Sequence, residues 1–408
     1  DRDRFEGRIE QPLTRRSFLK GSLAAGAAGS AAFGSMGLGR GTARAQPLPL
    51  GALQALIDAA CRSARAAHGA PLALVLGAVG PSGTGQVLFA GQDGLTDTAG
   101  GPLTLTPRTP FQIGSITKVM TAALAYRRSG PYAGTLGAAL GVTFSLSPQV
   151  AELTLQNLAR YQPGLPQDNR GGAYPPGILA HMPDLFAYLS RFDPPFPQGT
   201  CYSYSNLGWS LLGMAAVGLT QPDDALYAAR YDADLAAFAR TFDAPDTSLF
   251  RPALKAGLPR GYRSDWTPLP FTAPYRPVAP PLAGAGSVVS TGADMLNYLI
   301  YNMGLRDGGR QDPALAYLQS MDRSDTPCTG TGAPVRPGYG WFHQTLRGAG
   351  PPAEVLHKNG GVAGFTSWMG FSAWQGSGRP ARAGVFILAN GPVATALGNR
   401  ALKILLAG

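Results

Sequence analysis

A serine, two lysines, a tyrosine and two asparagines fall in this chain at spacings that can combine a nucleophile, a proton acceptor and hydrogen-bond donors. Ser115-Ile116-Thr117-Lys118 follows Gly114 and opens an apolar-periodic stretch. Positions i and i+3 of a helix share a face, so the Lys118 amine is expected to reach the Ser115 hydroxyl. The helix N-terminus adds positive potential where an alkoxide or oxyanion forms. A neutral lysine can take the hydroxyl proton once burial or a neighbouring cation depresses its pKa, which an arginine in that place could not do. The choice carries weight here, because five of the 34 basic residues are lysines. The S-x-x-K pattern is weak by itself, since Ser17-Phe18-Leu19-Lys20 satisfies it too.

Two further elements add to it. Tyr204-Ser205-Asn206 lies in a Tyr/Ser-rich loop before the apolar run 207–217. Its phenol, hydroxyl and amide could relay protons and hold a substrate amide, or simply cap a helix. His357-Lys358-Asn359-Gly360-Gly361 precedes strand-like sequence from Phe365. There a lysine at a glycine-rich strand edge supplies a cation for a carboxylate, and the glycines let substrate approach backbone N–H groups.

The elements that must carry these residues can be read from periodicity. A helix is expected over 52–68, strands over 72–79 and 87–90 joined by the turn 81–85, and a helix from Ser115 to about Arg128 whose buried stripe is Ile116, Val119, Met120, Ala123 and Leu124. Residues 129–283 read as helical patches such as 223–241 among Pro- and Gly-containing loops, ending in the proline-dense run 267–281, a site-bordering loop. Thr291 and Asp294 form a T-x-x-D capping box for a helix to Met303. Strands follow near 338–347, 365–374 and 384–390, then a terminal helix over about 393–406. The expected fold is mixed α/β (α+β): one antiparallel sheet flanked by helices and completed by both chain ends. The expected domains are 46–128 with 284–408 as the sheet domain, and 129–283 as an inserted, mostly helical one.

The 408 residues are 45% hydrophobic and 14% charged, which allows a large core and excludes charge-driven disorder. Net charge is +10, but the basic residues are scattered and residues 1–45 hold eight Lys/Arg against four Asp/Glu. No stripe tracks a phosphate backbone, so nucleic acid is not an expected partner. Thr14-Arg15-Arg16-Ser17-Phe18-Leu19-Lys20, the uncharged Gly/Ala/Ser stretch 21–39 and Ala43-Arg44-Ala45 read as a twin-arginine signal peptide over 1–45 with cleavage after Ala45. The mature chain would start at Gln46, be periplasmic or secreted, have the twin-arginine export machinery as a partner, and carry no stable membrane span. Proteins exported by that route are expected to cross the membrane folded, so stability would not depend on bonds made later. Cys61, Cys201 and Cys328 have no metal-ligand or C-x-x-C spacing, which leaves one disulfide plus one free thiol open and indicates no metal site.

In this order and at these intervals, the three elements resemble the serine β-lactamase and penicillin-binding superfamily, most closely its class C β-lactamase-like branch, which includes DD-peptidases and esterases. The resemblance spans nearly all of the mature chain, with support from 164–166, 285–291, Tyr339-Gly340-Trp341 and 388–391. It implies Ser115 as the acylated nucleophile and Lys118 as its proton partner. Tyr204 would be the general base or proton shuttle, kept partly ionised by the lysines. Asn206 would bond Lys118 and the substrate amide, and Lys358 would complete the electrostatics. The N–H groups of Ser115 and Gly361 would form the oxyanion hole, with Asn359 and Gly360 meeting substrate. The reaction implied is serine acyl transfer on β-lactams or D-alanyl peptides from peptidoglycan, with no cofactor and no metal.

Two departures stand out. Lys358-Asn359-Gly360 replaces the familiar lysine-threonine-glycine, and the Asn and Arg that many class C enzymes place just before the last helix have no clear counterpart. Both alter carboxylate recognition and favour a peptidase- or esterase-like member. The alternatives are a carboxylesterase with little β-lactam turnover and a non-catalytic cell-wall-binding relative. There is no G-x-S-x-G and no H-E-x-x-H. His68, His181 and His343 stand isolated, whereas His357 adjoins Lys358 and is a candidate for shaping the site. Asp223-Asp224 reads as a helix start, and Trp341, Trp368 and Trp374 as core.

Overall fold

The computed structural model describes residues 47–91, 93–166, 179–249, 257–270, 280–306, 312–320, 323–347, 352–362, 364–372 and 383–407. The signal peptide 1–45, the mature start at Gln46, Trp374 and positions 271–279 of the proline-dense run lie outside the described residues.

The chain opens with α1 (Leu50–His68), then β1 (Leu74–Val79), β2 (Gly85–Ala90), β3 (Pro110–Gln112) and α2 (Thr117–Ser129). Five helices follow: α3 (Leu136–Leu140), α4 (Pro148–Ala151), α5 (Leu155–Ala159), α6 (Met182–Leu189) and α7 (Asn206–Ala216). After α8 (Asp224–Arg240) come β4 (Ser248–Leu249), the short helix α9 (Ala283–Gly286), β5 (Val288–Thr291), α10 (Gly292–Asn302) and α11 (Pro313–Ser320). The last part is β6 (Phe342–Leu346), β7 (Ala353–Val362), β8 (Phe365–Ser372), β9 (Gly384–Ala389) and α12 (Ala394–Ala407). No helix among the described residues is long and apolar enough to cross a membrane.

The main sheet is antiparallel with strand order β2-β1-β9-β8-β7-β6, so β1 from one end of the chain pairs with β9 from the other. Every residue of β1 and β9 is buried. Alternation sends Leu74, Leu76, Val385 and Ile387 to the core under α1 and α12, and Val75, Phe386 and Leu388 to the larger core on the opposite face. A sheet covered on both faces needs apolar residues at both parities, and that is why these strands read as continuous apolar runs.

Helix α2 lies inside the larger core. Residues Thr117 to Ala125 are all buried, polar ones included, so the apolar stripe expected on one face is only part of what is enclosed. The turn Gly114–Ile116 that precedes it is a tight 3-10 turn rather than the first turn of the α-helix expected from Ser115.

Three other expectations change. The segment 353–362, expected only as a glycine-rich edge, is the ten-residue strand β7, paired with β6 over 353–357 and with β8 over 355–362. Near 338–341 the chain is bent, and strand pairing begins at Phe342. A second, small sheet, β3-β5-β4, is made of strands too short for alternation to reveal. At the start of α10, Thr291 accepts from the Asp294 N–H at 3.2 Å, whereas the Asp294 carboxylate accepts from the Thr247 hydroxyl at 2.8 Å.

One side chain adds to the β1–β9 ladder that joins the chain ends. Buried Asn390, just past β9, accepts from the Ala73 N–H at 2.7 Å and donates to the Arg260 carbonyl at 2.7 Å. A buried polar group left unpaired costs roughly 1–3 kcal/mol. Asn390→Leu strands both partners and is expected to lower unfolding stability by about 2–4 kcal/mol in urea denaturation. A loss below about 1 kcal/mol would show that Asn390 does not add to that ladder.

Candidate active site

Ser115 sits where three elements meet. Gly114, immediately before it, has φ +52°, in the region that favours glycine. A Cβ there would stand 2.6 Å from the Gly361 nitrogen of β7. Gly360 repeats the constraint from the other side, since its Cβ would meet the Ile113 carbonyl oxygen at 2.0 Å. The two glycines let β7 lie directly across the backbone that presents Ser115, which brings the Ser115 and Gly361 peptides side by side. Ser367 on β8 donates to the Ile113 carbonyl at 2.7 Å, and the Ile113 N–H donates to Val288 O at 3.0 Å, so both sheets hold this turn.

The Lys118 side chain is buried, and its Nζ lies 3.0 Å from Ser115 Oγ, 2.7 Å from Asn206 Oδ1 and 2.6 Å from the Ala285 carbonyl oxygen. Tyr204 donates its phenolic O–H to Ser115 Oγ at 2.7 Å. Ser205 caps α7 by accepting from the Gly208 N–H at 3.2 Å, which fixes Tyr204 just outside the helix and Asn206 as its first residue. The loop thus both caps a helix and presents polar groups to Ser115.

Lys358 enters from β7 and is buried too. Its Nζ lies 3.0 Å from the Asn359 carbonyl oxygen, 3.5 Å from Asn359 Oδ1 and 5.2 Å from the centre of the Tyr204 ring, while Lys118 Nζ is 4.9 Å from that ring. Burial, and then the Lys118 charge, hold the Lys358 amine well below the usual lysine range. Asn359 is exposed, and the Cβ direction of Gly361 opens into free space, so both face a ligand's approach. Ser115, Lys118, Tyr204, Asn206, Lys358, Asn359, Gly360 and Gly361 are therefore all brought to one place.

His357 is not. Strand alternation turns it to the face opposite Lys358, where its half-buried ring stacks on Trp368 at 5.9 Å, beside the core under the terminal helices. Burial, helped by Lys358 and His343, pushes its imidazole down to about 3. His68 stacks on Trp266, and His181 pairs with Asp224 at 3.0 Å. Asp223 caps α8, and Trp341 and Trp368 are fully buried.

Sequence reasoning assigned no role to three groups that border the site. The Ala285 carbonyl accepts from Lys118, and a backbone acceptor leaves no residue-type signal. Tyr161 stacks on Tyr204 with ring centres 5.6 Å apart and planes at 17°, and Phe342 stacks on Tyr161 at 5.1 Å. Cys201 and Cys328 form a disulfide beside this loop, and Cys61 is free, its thiol pushed up to about 12 by burial.

A family profile described as Beta-lactamase matches residues 75–408, and one for the twin-arginine translocation pathway signal sequence matches residues 12–32. Among solved structures, a D-alanine carboxypeptidase AmpC from Burkholderia cenocepacia is 22% identical over 88% of this chain and 99% of that one, with a TM-score of 0.62. A class C beta-lactamase from Rhodobacter sphaeroides is 22% identical over 86% and 98%, with a TM-score of 0.63. A class C beta-lactamase in complex with cefoxitin is 17% identical over 88% and 99%, with a TM-score of 0.64. At these identities the solved structures show the shared fold. No functionally curated protein matches the chain.

The His357 environment predicts an acid-linked loss of stability. With the folded pKa near 3 and the ordinary value at 6.5, the unfolded chain takes up a proton that the folded chain refuses. The stability His357 contributes is complete above pH 6.5 and lost as pH falls toward 3. His357→Phe is expected to flatten the decline in melting temperature between pH 7 and pH 4. Parallel curves for the two proteins would refute the assignment.

Proposed function

Because the chain belongs to the β-lactamase family and carries a twin-arginine signal, it is an exported serine hydrolase of the class C-like kind, and we propose that it acts by acyl transfer through Ser115. The observation that carries the proposal is the double engagement of one hydroxyl: Ser115 Oγ lies 2.7 Å from Tyr204 OH and 3.0 Å from Lys118 Nζ. A serine becomes nucleophilic when an adjacent base can accept its proton, and two candidate acceptors stand within reach.

In this reading Tyr204, as phenolate, takes the Ser115 proton while Oγ forms a bond to the substrate carbonyl carbon. The amines of Lys118 and Lys358 stabilise negative charge on the phenolic oxygen, and the N–H groups of Ser115 and Gly361 receive the oxyanion. Collapse breaks the carbonyl carbon–nitrogen bond, and the leaving nitrogen takes the proton from Tyr204. Water then attacks the serine ester with Tyr204 again as acceptor, releasing the acid and restoring the hydroxyl. Asn206 orients Lys118 and offers its amide N–H to the substrate.

The substrates that fit are D-alanyl peptides and β-lactams. The exposed amide of Asn359 stands beside Lys358 where a threonine hydroxyl is usual in this family, and α12 begins with Ala394 and Thr395, with no Asn–Arg pair ahead of it. Both features weaken the grip on an antibiotic's carboxylate, so slow β-lactam turnover is expected, and they favour a carboxylesterase as the second reading.

Intact mass of the mature protein, followed over time with a penicillin, tests the proposal. Wild type is expected to gain one penicilloyl mass that decays slowly. Ser115→Ala is expected to gain none, to lose at least about a thousandfold in turnover, and to keep its melting temperature within a few degrees. Drug consumed without adduct would mark fast deacylation. If the drug stays intact and a short-chain nitrophenyl ester is cleaved, the substrate assignment passes to esters. Turnover surviving in Ser115→Ala would overturn the mechanism, and saturable binding of peptidoglycan fragments with no product would indicate a non-catalytic relative.

A further inference from the structure

Lys118 has three hydrogen-bond acceptors, and the shortest contact is to a backbone atom, the Ala285 carbonyl at 2.6 Å. With that carbonyl and Asn206 Oδ1 holding two N–H groups, the remaining position on the nitrogen points at Ser115. Where the Ala285 carbonyl lies therefore decides how the amine faces the nucleophile.

Ala285 follows Gly284, and both backbone polar groups of Gly284 are tied to side chains. Its N–H donates to the Tyr227 hydroxyl at 3.2 Å. Its carbonyl accepts from the Thr121 hydroxyl at 2.6 Å. Thr121 Oγ1 also lies 3.1 Å from the Thr117 carbonyl and 2.6 Å from the Tyr231 hydroxyl; with its single proton on the shorter carbonyl contact, to Gly284, Tyr231 is the donor in that pair. The relay runs Tyr231 O–H to Thr121 O–H to Gly284 C=O. Thr121 sits on α2 one turn beyond Lys118, and both tyrosines project from α8, where they are fully buried. Burial pushes both phenols up, which keeps their protons in place.

Packing closes the same unit. A Cβ on Gly213 of α7 would stand 2.4 Å from the Tyr227 hydroxyl and 3.0 Å from Gly284 Cα. The helix that begins with Asn206 thus rests directly on the turn that carries Ala285. Both orienting acceptors of Lys118 are held at a fixed separation by one contact.

We propose that Thr121, Tyr227 and Tyr231 are positioning residues for Lys118, setting its orientation and proton affinity by clamping Gly284 so that the Ala285 carbonyl stays on the amine. The inference rests on the proposed acyl transfer at Ser115, in which the Lys118 ammonium stabilises negative charge on the Tyr204 oxygen. The titratable groups facing Lys118 are Tyr204 from the loop before α7 and Lys358 from β7, with the phenols of Tyr227 and Tyr231 behind α9.

The test reads Lys118 directly. Downstream of residue 45 the chain contains four lysines, Lys118, Lys255, Lys358 and Lys403, few enough to resolve by 15Nζ-lysine NMR. Thr121→Val is expected to shift the Lys118 titration to lower pH, because an acceptor that stabilises the ammonium has loosened. It should also slow acylation by penicillin on the order of tenfold, whereas Thr121→Ser, which keeps the hydroxyl, restores both. Tyr231→Phe, a milder change, should move the titration the same way by less. A titration that superimposes on wild type in Thr121→Val would overturn the proposal even if the melting temperature falls, and if that variant does not fold, an unmoved titration in Tyr231→Phe does so. A shifted titration in a protein that no probe acylates would uphold the clamp while refuting acyl transfer at Ser115.

Discussion

An amine enclosed in protein has to be surrounded by acceptors, and the rest of this fold follows from where the Lys118 acceptors come from. Ser115 is local to the α2 entry, Asn206 lies 88 residues downstream and Ala285 lies 167 downstream. A single nitrogen thus requires two distant stretches of chain to converge on the turn that carries Ser115. Hydrogen bonds to a buried charged group are stronger than those between neutral partners, and the loss of one is correspondingly costly. That cost explains why the surroundings of α2 are so fully enclosed.

The second lysine makes the arrangement chemical as well as structural. Two amines that share one phenol ring cannot both hold a proton at no cost, and burial together with the Lys118 charge drives Lys358 toward its neutral form. Protonation of Lys358 is therefore disfavoured at rest and would be favoured by a negative charge placed between the two amines. The glycines Gly114 and Gly360 belong to the same arrangement, since any side chain there would part β7 from the Ser115 turn and separate Lys358 from Ser115.

Much of this was legible in the sequence because the polar side chains gathered at the site are typed and spaced. Ser115 and Lys118 lie one helical turn apart, Tyr204 and Asn206 flank a capping serine, and Lys358 precedes two glycines. The long buried strands β1 and β9 and the helices α1, α8 and α10 declared themselves by apolar periodicity. What stayed hidden has physical reasons. Strand β7 carries lysine, asparagine and two glycines in the stretch that reaches the site, which suppresses every strand propensity. The strands of the small sheet are two to four residues long, below the reach of any period. The Ala285 acceptor is a carbonyl, which every residue has. Tyr227 and Tyr231 lie on the apolar face of α8 and read as core, because burial is encoded in residue type while the direction of a hydroxyl is not.

The loop carrying Tyr204 is held by contacts that do not depend on its disulfide. Cys201 and Cys328 are bonded three residues before Tyr204, but the same two segments are also joined by backbone bonds, from Tyr202 N–H to Thr326 O and from Cys328 N–H to Tyr202 O, each 2.9 Å. Ser203 is bound independently, its N–H donating to the Tyr161 carbonyl at 2.7 Å. Tyr161 in turn stacks on the Tyr204 ring and donates its hydroxyl to the Gly340 carbonyl at 2.9 Å. Tyr204 is therefore placed by hydrogen bonds and ring packing that need no oxidant. The disulfide joins two segments that backbone hydrogen bonds already hold together.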